Sequence, residues 1–596
     1  MSSVGSSGAA PSNSDRSTLH MVWRLLDRRE RGFLALTLAM VLVSAVLEMF
    51  SLGLIVPLTA VLTTDDALRD VPVVGRLVED MSRAEILTWM VILLVVVYLV
   101  KNSFTLLLAY VQARLGARIG NRIVQQLFER YLNLPYEFHL GTNSAYLVRN
   151  VQDNASSVVG NGVMPLLVLV TDVVVGVGLF SILVVAEPIG TLSTTLVFVV
   201  VAFGLLRGSR RVVDRWGETR QLHRGRSLLA LMQGFGAVKE VKLLGRERWF
   251  LRAHERSLHE AVRAQYLFQT FQTVPRALFE VLAMGGLALL VIVMLLQGAE
   301  VGRVVSVLAL FAAASFRILP SINRVLTSIQ QFSFGRSPIA TAYDDLLIRE
   351  FVPVPKRGNS RRSFAELRGD GLHFRYAGAD SPALDGISFV IRAGDFVGFV
   401  GPSGAGKSTL IDVILGLLAP QEGTLRVDGT DMREIVGDWQ SLIGYVPQNI
   451  ALIDDTIRHN VALGVDAGDI DDGRVRKALE LAQLWQYVEA LPDGLDTVIG
   501  ERGVRMSGGQ RQRLGIARAL YHEPAVLVLD EATSALDTET EAGVMNSVER
   551  LRGDRTIIVV AHRLSTVRYC DRLYRLESGR IVAEGSYAAV IDESQH

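Results

Sequence analysis

Apolar residues gather in six long runs over the first half of the chain, at roughly 33–62, 86–112, 163–186, 191–207, 276–297 and 302–322. A helix needs about 20 such residues to cross the hydrocarbon core of a bilayer, so each run is a candidate span, the fourth being the shortest. The connections alternate in character. Those after the third and fifth runs are very short, Glu187-Pro-Ile-Gly190 and Gln297-Gly-Ala-Glu300, whereas those after the second and fourth are long, charged and helical in spacing. The long ones carry Arg114, Arg118, Arg122 and Arg130, and then Arg207, Arg210, Arg211, Arg215, Arg220, Arg224 and Arg226. Basic connections stay on the cytoplasmic side, which places both long loops and both chain ends there. Runs 119–132 and 227–244 read as cytosolic extensions of the membrane helices, with tips at 136–142 and 231–238.

Before the first run, residues 1–18 are rich in Ser, Gly and Ala without apolar period, which predicts disorder, and they lack a signal-peptide pattern. From Leu19 to Arg31 apolar and arginine positions alternate. Two readings stay open: a helix lying on the membrane surface, or the charged flank of the first span. After residue 340 the pattern changes. Residues 340–365, with Pro353, Pro355 and Gly358, read as a linker, and 366–596 as an α/β domain whose short apolar runs 396–400, 526–529 and 556–560 are buried strands.

Composition adds three limits. At 596 residues the chain exceeds one core. With 61 basic and 61 acidic residues, charge argues for no nucleic-acid partner, while 49% hydrophobic residues and a mean hydropathy of +0.31 point to membrane. A single cysteine, Cys570, excludes an intramolecular disulfide and a zinc cluster.

The chemistry starts at Gly401-Pro-Ser-Gly-Ala-Gly-Lys-Ser-Thr409, between a strand and a helical pattern. In the spacing G-x-x-x-x-G-K-[ST], Gly401, Ser403, Gly404 and Gly406 belong to a loop whose backbone N–H groups converge on phosphates. Lys407 reaches the β and γ phosphates and Ser408 can ligate Mg²⁺. Asp530 and Glu531 follow a strand, where one acid can hold Mg²⁺ and the other orient an attacking water. Met506-Ser-Gly-Gly-Gln510 opens a helix and offers a second anion contact.

These motifs together resemble the nucleotide-binding domain of ATP-binding cassette (ABC) proteins, Ser507-Gly508-Gly509-Gln510 being the signature that separates that family from other P-loop proteins. The resemblance covers about the last 230 residues. It implies that the signature of one copy closes over the ATP on the loop of another. With one of each per chain, a second copy is expected, as a homodimer with two working sites. It further implies that Tyr376 stacks on adenine, that Gln448 touches Mg²⁺ and reports to the membrane domain, that Ser534-Ala-Leu-Asp537 lies at the dimer contact, and that His562 acts as the switch histidine beside the γ phosphate. Thr409 completes the loop, and Glu501-Arg-Gly503 matches a segment that exporters carry near their coupling helices. Met506 stands where the family usually has leucine, a swap of similar volume. Fused domain order implies an exporter. The expected fold is therefore a polytopic α-helical membrane domain of six transmembrane helices (residues 19–339, type IV exporter-like) joined to an α/β P-loop ATPase. Its expected setting is the bacterial inner membrane, with the ATPase in the cytoplasm.

Charges inside the apolar runs address the cargo: Glu48, Lys101, Asp172, Arg276, Glu280, Arg317 and Arg324. Counted from the outer ends, Lys101 and Arg317 lie roughly 22 Å deep and Arg276 and Arg324 roughly 33 Å deep. Two basic rungs facing a cavity would favour an anionic lipid phosphate or pyrophosphate. The competing readings are that the deeper arginines snorkel to headgroups, that Arg276 pairs with Glu280, and that Glu48 or Asp172 neutralises Lys101 or Arg317. The stretches 316–324, 273–276 and 48–57 resemble bacterial flippases of lipid-linked oligosaccharides for protein N-glycosylation, with Lys101 in place of an arginine. That resemblance implies a polyprenyl-pyrophosphate-linked saccharide. A multidrug, lipid or peptide exporter and a membrane-tethered regulatory ATPase are the alternatives.

Overall fold

The structure is a computed structural model that describes residues 18–54, 81–186, 188–296, 319–347, 363–531, 538–560 and 567–592. Contacts divide the chain into two units, residues 1–132 with 142–349, and residues 133–141 with 350–596.

The first unit is helical throughout its described part. Thr18–Leu25 is a helix of its own, separated from Arg28–Gly53 by a break at 26–27. Met21, Val22 and Leu25 are buried while Leu19 and Trp23 are exposed, so one apolar stripe packs on protein and the other faces outward. Arg122 fixes this corner: its guanidinium donates to the buried carboxylate of Glu30 at 2.6 and 2.7 Å and to Leu25 O at 2.7 Å. The charged flank and the helix are thus one assembly.

Arg83–Leu132 is a single helix of 50 residues and Pro188–Gly236 one of 49. At 1.5 Å per residue each is about 75 Å long, more than twice the ~30 Å bilayer core, as the helical spacing of the long loops predicts. Among the described residues, helical stretches Arg28–Ser51, Ala84–Leu132 and Ser144–Gly178 are long and apolar enough to cross a membrane. The fourth and fifth runs lie on Pro188–Gly236 and on Val274–Leu296, where Pro275 sits in the first turn and needs no N–H partner. The sixth run lies outside the described residues up to 318.

Three details depart from the sequence reading. The second loop tip lies further along: Pro188–Gly236 breaks at Ala237, continues as Val238–Leu243, and reverses at Gly245, with φ +61, before Glu247–Phe271. The linker assigned to 340–365 is helical as far as Leu347, because Ile339, Ala342 and Tyr343 repeat at helical spacing and are fully buried. Finally, two π-helical turns, Asn150–Asn154 and Val159–Val163, interrupt the helix that runs from 144 to 186. The first turns Asn150 into a buried polar knot. Asn150 Nδ2 donates to Asp345 Oδ2 at 2.7 Å and to Tyr131 Oη at 3.1 Å, Tyr131 Oη donates to the same Asp345 oxygen at 2.5 Å, and Asn154 Nδ2 donates to Asn150 Oδ1. Burial raises the Asp345 pKa and these hydrogen bonds lower it, burial being the larger effect.

The second unit is α/β. A four-stranded antiparallel sheet has the order β2(Leu384–Arg392)-β1(Glu366–Phe374)-β4(Glu422–Val427)-β5(Thr430–Asp431). A six-stranded sheet has the order β10(Arg580–Gly585)-β9(Arg572–Glu577)-β3(Phe396–Val400)-β8(Thr556–Val560)-β7(Val526–Asp530)-β6(Ile443–Val446), parallel except for β10. Its central strands are apolar on both faces because both are covered. Leu527, Leu529, Ile557 and Val559 pack into one core, and Val526, Val528, Ile558 and Val560 into the other. The chemistry sits at the carboxyl ends of these strands, where loops are free to vary.

Candidate functional site

Strand β3 delivers the chain into a loop that only glycine can close. Gly404 and Gly406 have φ of +80 and +98, and a Cβ at Gly406 would stand 2.4 Å from Ala383 O. Gly406 caps the helix Lys407–Ile414, so the loop ends on a helix N-terminus as the spacing predicts. Lys407 curls back, its Nζ donating to Gly401 O at 2.9 Å and Pro402 O at 2.8 Å. Burial lowers its pKa, while Glu531 and Asp530 pull the other way. Ser403 and Ser408 are exposed, and Thr409 is buried with its hydroxyl 3.1 Å from Tyr376 Oη. The aromatic at the start of the domain is thereby tied to the phosphate loop.

Strand β7 ends on Asp530, and Glu531 follows with φ +51, a conformation that costs a non-glycine residue energy. Its N–H holds Val560 O at 2.9 Å, and its carboxylate accepts Gln448 Nε2 at 2.7 Å, across 83 residues of sequence. The hydrogen bond leaves the amide oxygen of Gln448 for a cation. Were Ser408, Gln448 and Asp530 to meet a cation they would offer it only oxygen, the donor type that suits Mg²⁺ rather than a softer metal. Ser507 and Gln510 form a reciprocal capping box on the helix Gly508–Leu520, Gln510 N donating to Ser507 Oγ and Ser507 N to Gln510 Oε1. Gly508 and Gly509 occupy the first turn, where N–H groups lack helical partners.

Sequence reasoning missed two groups here. Asp412, inside the apolar pattern of the loop helix, has its pKa pushed up to about 6 by burial and by Asp530. Tyr445 Oη donates to Asp530 Oδ2 at 3.4 Å. An acid at an apolar helical position was the available signal for the first. The segment 133–141, read as a tip of the membrane domain, groups with this unit, and Tyr136 lies near enough to Asp412 and Tyr376 for both to raise its pKa behind the larger effect of burial. His562 and 534–537 lie outside the described residues.

In the first unit the cations are paired rather than stacked as bare rungs. Lys101 Nζ donates to Glu48 Oε1 at 3.2 Å, with both side chains about nine-tenths buried. Arg324 forks onto Asp172, its Nη2 at 2.6 Å from Oδ1 and its Nε at 2.8 Å from Oδ2. Asp172 is 4% exposed and the arginine 46%. Arg276 pairs with Glu280 one turn on, at 2.8 Å, on an exposed face. Arg317 lies outside the described residues. The pairing has a simple cause: an unpaired charge in an apolar helix is costlier than a paired one, and the carboxylates needed were already in the runs.

Comparisons with known proteins bear on the family and the fold. A family model described as "ABC transporter transmembrane region" matches residues 34–318, and one described as "ABC transporter" matches 384–534. The ATP-dependent lipid A-core flippase of Thiobacillus denitrificans is 32% identical over 85% of this chain and 87% of its own length. That of Cupriavidus metallidurans is 31% identical over 98% and 95%. The solved structure of a bacterial Atm1-family ABC exporter with ATP bound superposes with a TM-score of 0.80 at 23% identity, covering 95% of this chain and 97% of that one, a likeness of fold. The chain therefore belongs to the ABC transporter family, as an exporter-type half-transporter in which a membrane-spanning helical region and an ATP-hydrolysing cassette share one polypeptide and hydrolysis is coupled to transport.

Proposed function

We propose that two copies of this chain form a homodimeric flippase in the bacterial inner membrane, cassettes in the cytoplasm, moving a phosphate-bearing saccharide lipid. The observation that carries the cargo reading is the Asp172–Arg324 fork. A buried carboxylate takes Nε and Nη2 of a half-exposed guanidinium on a membrane helix and orients it, which turns its Nη1 donor outward toward an anion such as a phosphate. A polyprenyl-pyrophosphate-linked saccharide is the preferred form. A lipid A-core type of cargo is the second reading, favoured by the names of the relatives.

In the cassette, the glycine loop and Lys407 would hold the ATP phosphates, with Tyr376 against adenine. Ser408, Gln448 and Asp530 would hold Mg²⁺, whose charge neutralises the phosphate oxygens. Glu531, kept in place by Gln448, orients water and takes its proton. Ser507 to Gln510 would meet the partner's nucleotide, and His562 the γ phosphate. The second cytosolic tip supports the dimer: Phe235, Leu243 and Leu244 are 74, 83 and 68% exposed, an apolar end that a second cassette would cover.

The test is ATPase activity of the full chain in nanodiscs as polyprenyl-pyrophosphate saccharide, lipid A-core or common drugs are added. Saturable stimulation by one of the phosphorylated glycolipids, lost in Arg324→Gln, is expected. Stimulation by drugs alone would overturn the cargo reading, and a rate that none of them changes would favour a membrane-tethered regulatory ATPase.

A further inference from the structure

Just beyond the fourth apolar run, the helix Pro188–Gly236 turns basic, and its residues from Phe203 to Asp214 form one wall of a cavity of about 1150 Å³. The other walls come from Thr18 and Leu19 of the N-terminal helix, from Leu169, and from the stretch between Ile329 and Arg336. The wall is about 16 Å long, so it runs from acyl-chain depth to the basic side of the membrane. Among the described residues four guanidinium groups line it, Arg207, Arg210, Arg211 and Arg336, against one carboxylate, Asp214. Arg207, Arg210 and Arg211 stand at i, i+3 and i+4, on one helix face, and all three are exposed.

Gln330 supplies an independent sign of a ligand. It is 2% exposed, lines the same cavity, and neither its amide nitrogen nor its amide oxygen has a hydrogen-bond partner among the described residues. Buried amides are rarely left so, and a group with both acceptor and donor oxygens would satisfy this one. Asp214 Oδ1 is likewise buried without a partner among the described residues. Burial raises the pKa of that carboxyl against the pull of Arg336 and Arg210 and a hydrogen bond with Ser333. At the other end of the wall Phe203, 64% exposed, and Leu206 offer an apolar track.

We propose that this cavity binds the phosphate-bearing headgroup of an anionic phospholipid from the leaflet on the cassette side, its acyl chains lying along Phe203 and Leu206. Basic pockets between membrane helices at that level suit such headgroups. The site shares no residue with the Glu48–Lys101 and Asp172–Arg324 pairs, and it holds whatever the transported cargo is.

Native mass spectrometry of the full chain, titrated with phosphatidic acid, phosphatidylcholine or inorganic pyrophosphate, tests it. Phosphatidic acid should bind at least about tenfold more tightly than phosphatidylcholine. Each arginine near the surface is worth about fivefold, so Arg210→Gln with Arg211→Gln should weaken phosphatidic acid about 30-fold and leave phosphatidylcholine unchanged. Gln330→Leu keeps every charge that orients the helices in the membrane, and should weaken phosphatidic acid severalfold with an unchanged melting temperature. Equal binding of the two lipids, or undiminished phosphatidic acid binding in either variant, would overturn the proposal. Pyrophosphate that binds as tightly as phosphatidic acid and loses that binding in Arg210→Gln with Arg211→Gln, which leaves the phosphate loop of the cassette intact, would overturn the lipid assignment in favour of a soluble anion.

Discussion

Asp345 is where a change of one side chain should tell most about the membrane unit. Its Oδ2 accepts from Tyr131 at 2.5 Å and Asn150 at 2.7 Å, in a place where Asn150 is fully buried and Tyr131 and Asp345 are 3 and 8% exposed. The three residues belong to three different helical segments, so the knot ties the helix that precedes the cassette to two others. Hydrogen bonds to a charged acceptor contribute about 1.5–3 kcal/mol each. Two of them give about 3–6 kcal/mol, and the desolvation that raises the Asp345 pKa offsets part of it, leaving about 3 kcal/mol for Asp345→Ala. Asp345→Asn keeps an oxygen that both donors can reach and should cost about 1 kcal/mol. Unfolding of the purified chain by SDS in mixed micelles, followed by tryptophan fluorescence, reads both. If alanine costs under 1 kcal/mol, or asparagine costs as much as alanine, the hydrogen bonds are not what holds this junction.

Two further predictions concern the cassette. Glu531→Gln should keep nucleotide binding and lower the hydrolysis rate by about 10²–10⁴, the usual worth of a positioned base. Binding of a fluorescent ATP analogue and phosphate release measure the two separately, and near-normal release would remove Glu531 from its role. Asp412, at about 6, has a raised pKa in the folded state, so the fold binds its proton more tightly than the unfolded chain does. Stability should therefore be lost as pH rises from about 4 through 6, by the order of 1–2 kcal/mol after solvent screening, and Asp412→Asn should flatten this part of the profile. A wild-type melting profile that does not fall over that window would count against it.

The cassette was legible because its chemistry is local. A glycine loop, a strand ending in two acids and a helix N-terminus each declare themselves within ten residues, and β3, β7 and β8 fall where the apolar runs predict. The capping box was equally legible, Ser507 standing three residues before Gln510, yet an anion-site reading of the same residues concealed it. The membrane charges were not legible in pairs. Glu48 and Lys101 are 53 residues apart, and Asp172 and Arg324 are 152 apart, so only the packing of helices decides which carboxylate meets which cation. The π-helical turns left no periodic trace in Asn150–Val163, a stretch of Asn, Gly and small residues where the helical repeat is weak.

The length of the helices Arg83–Leu132 and Pro188–Gly236 sets a gear ratio. Of about 75 Å, about 30 Å lies within the bilayer core and about 45 Å beyond it. A stiff rod that pivots where it leaves the bilayer swings its cytosolic tip about 1.5 times as far as its outer end. A shift of about 5 Å at the tip then tilts the rod by only about 6° and displaces the outer end by about 3 Å. Large strokes at the far tips of these helices thus become small, forceful adjustments in the membrane, a mechanical advantage for transport.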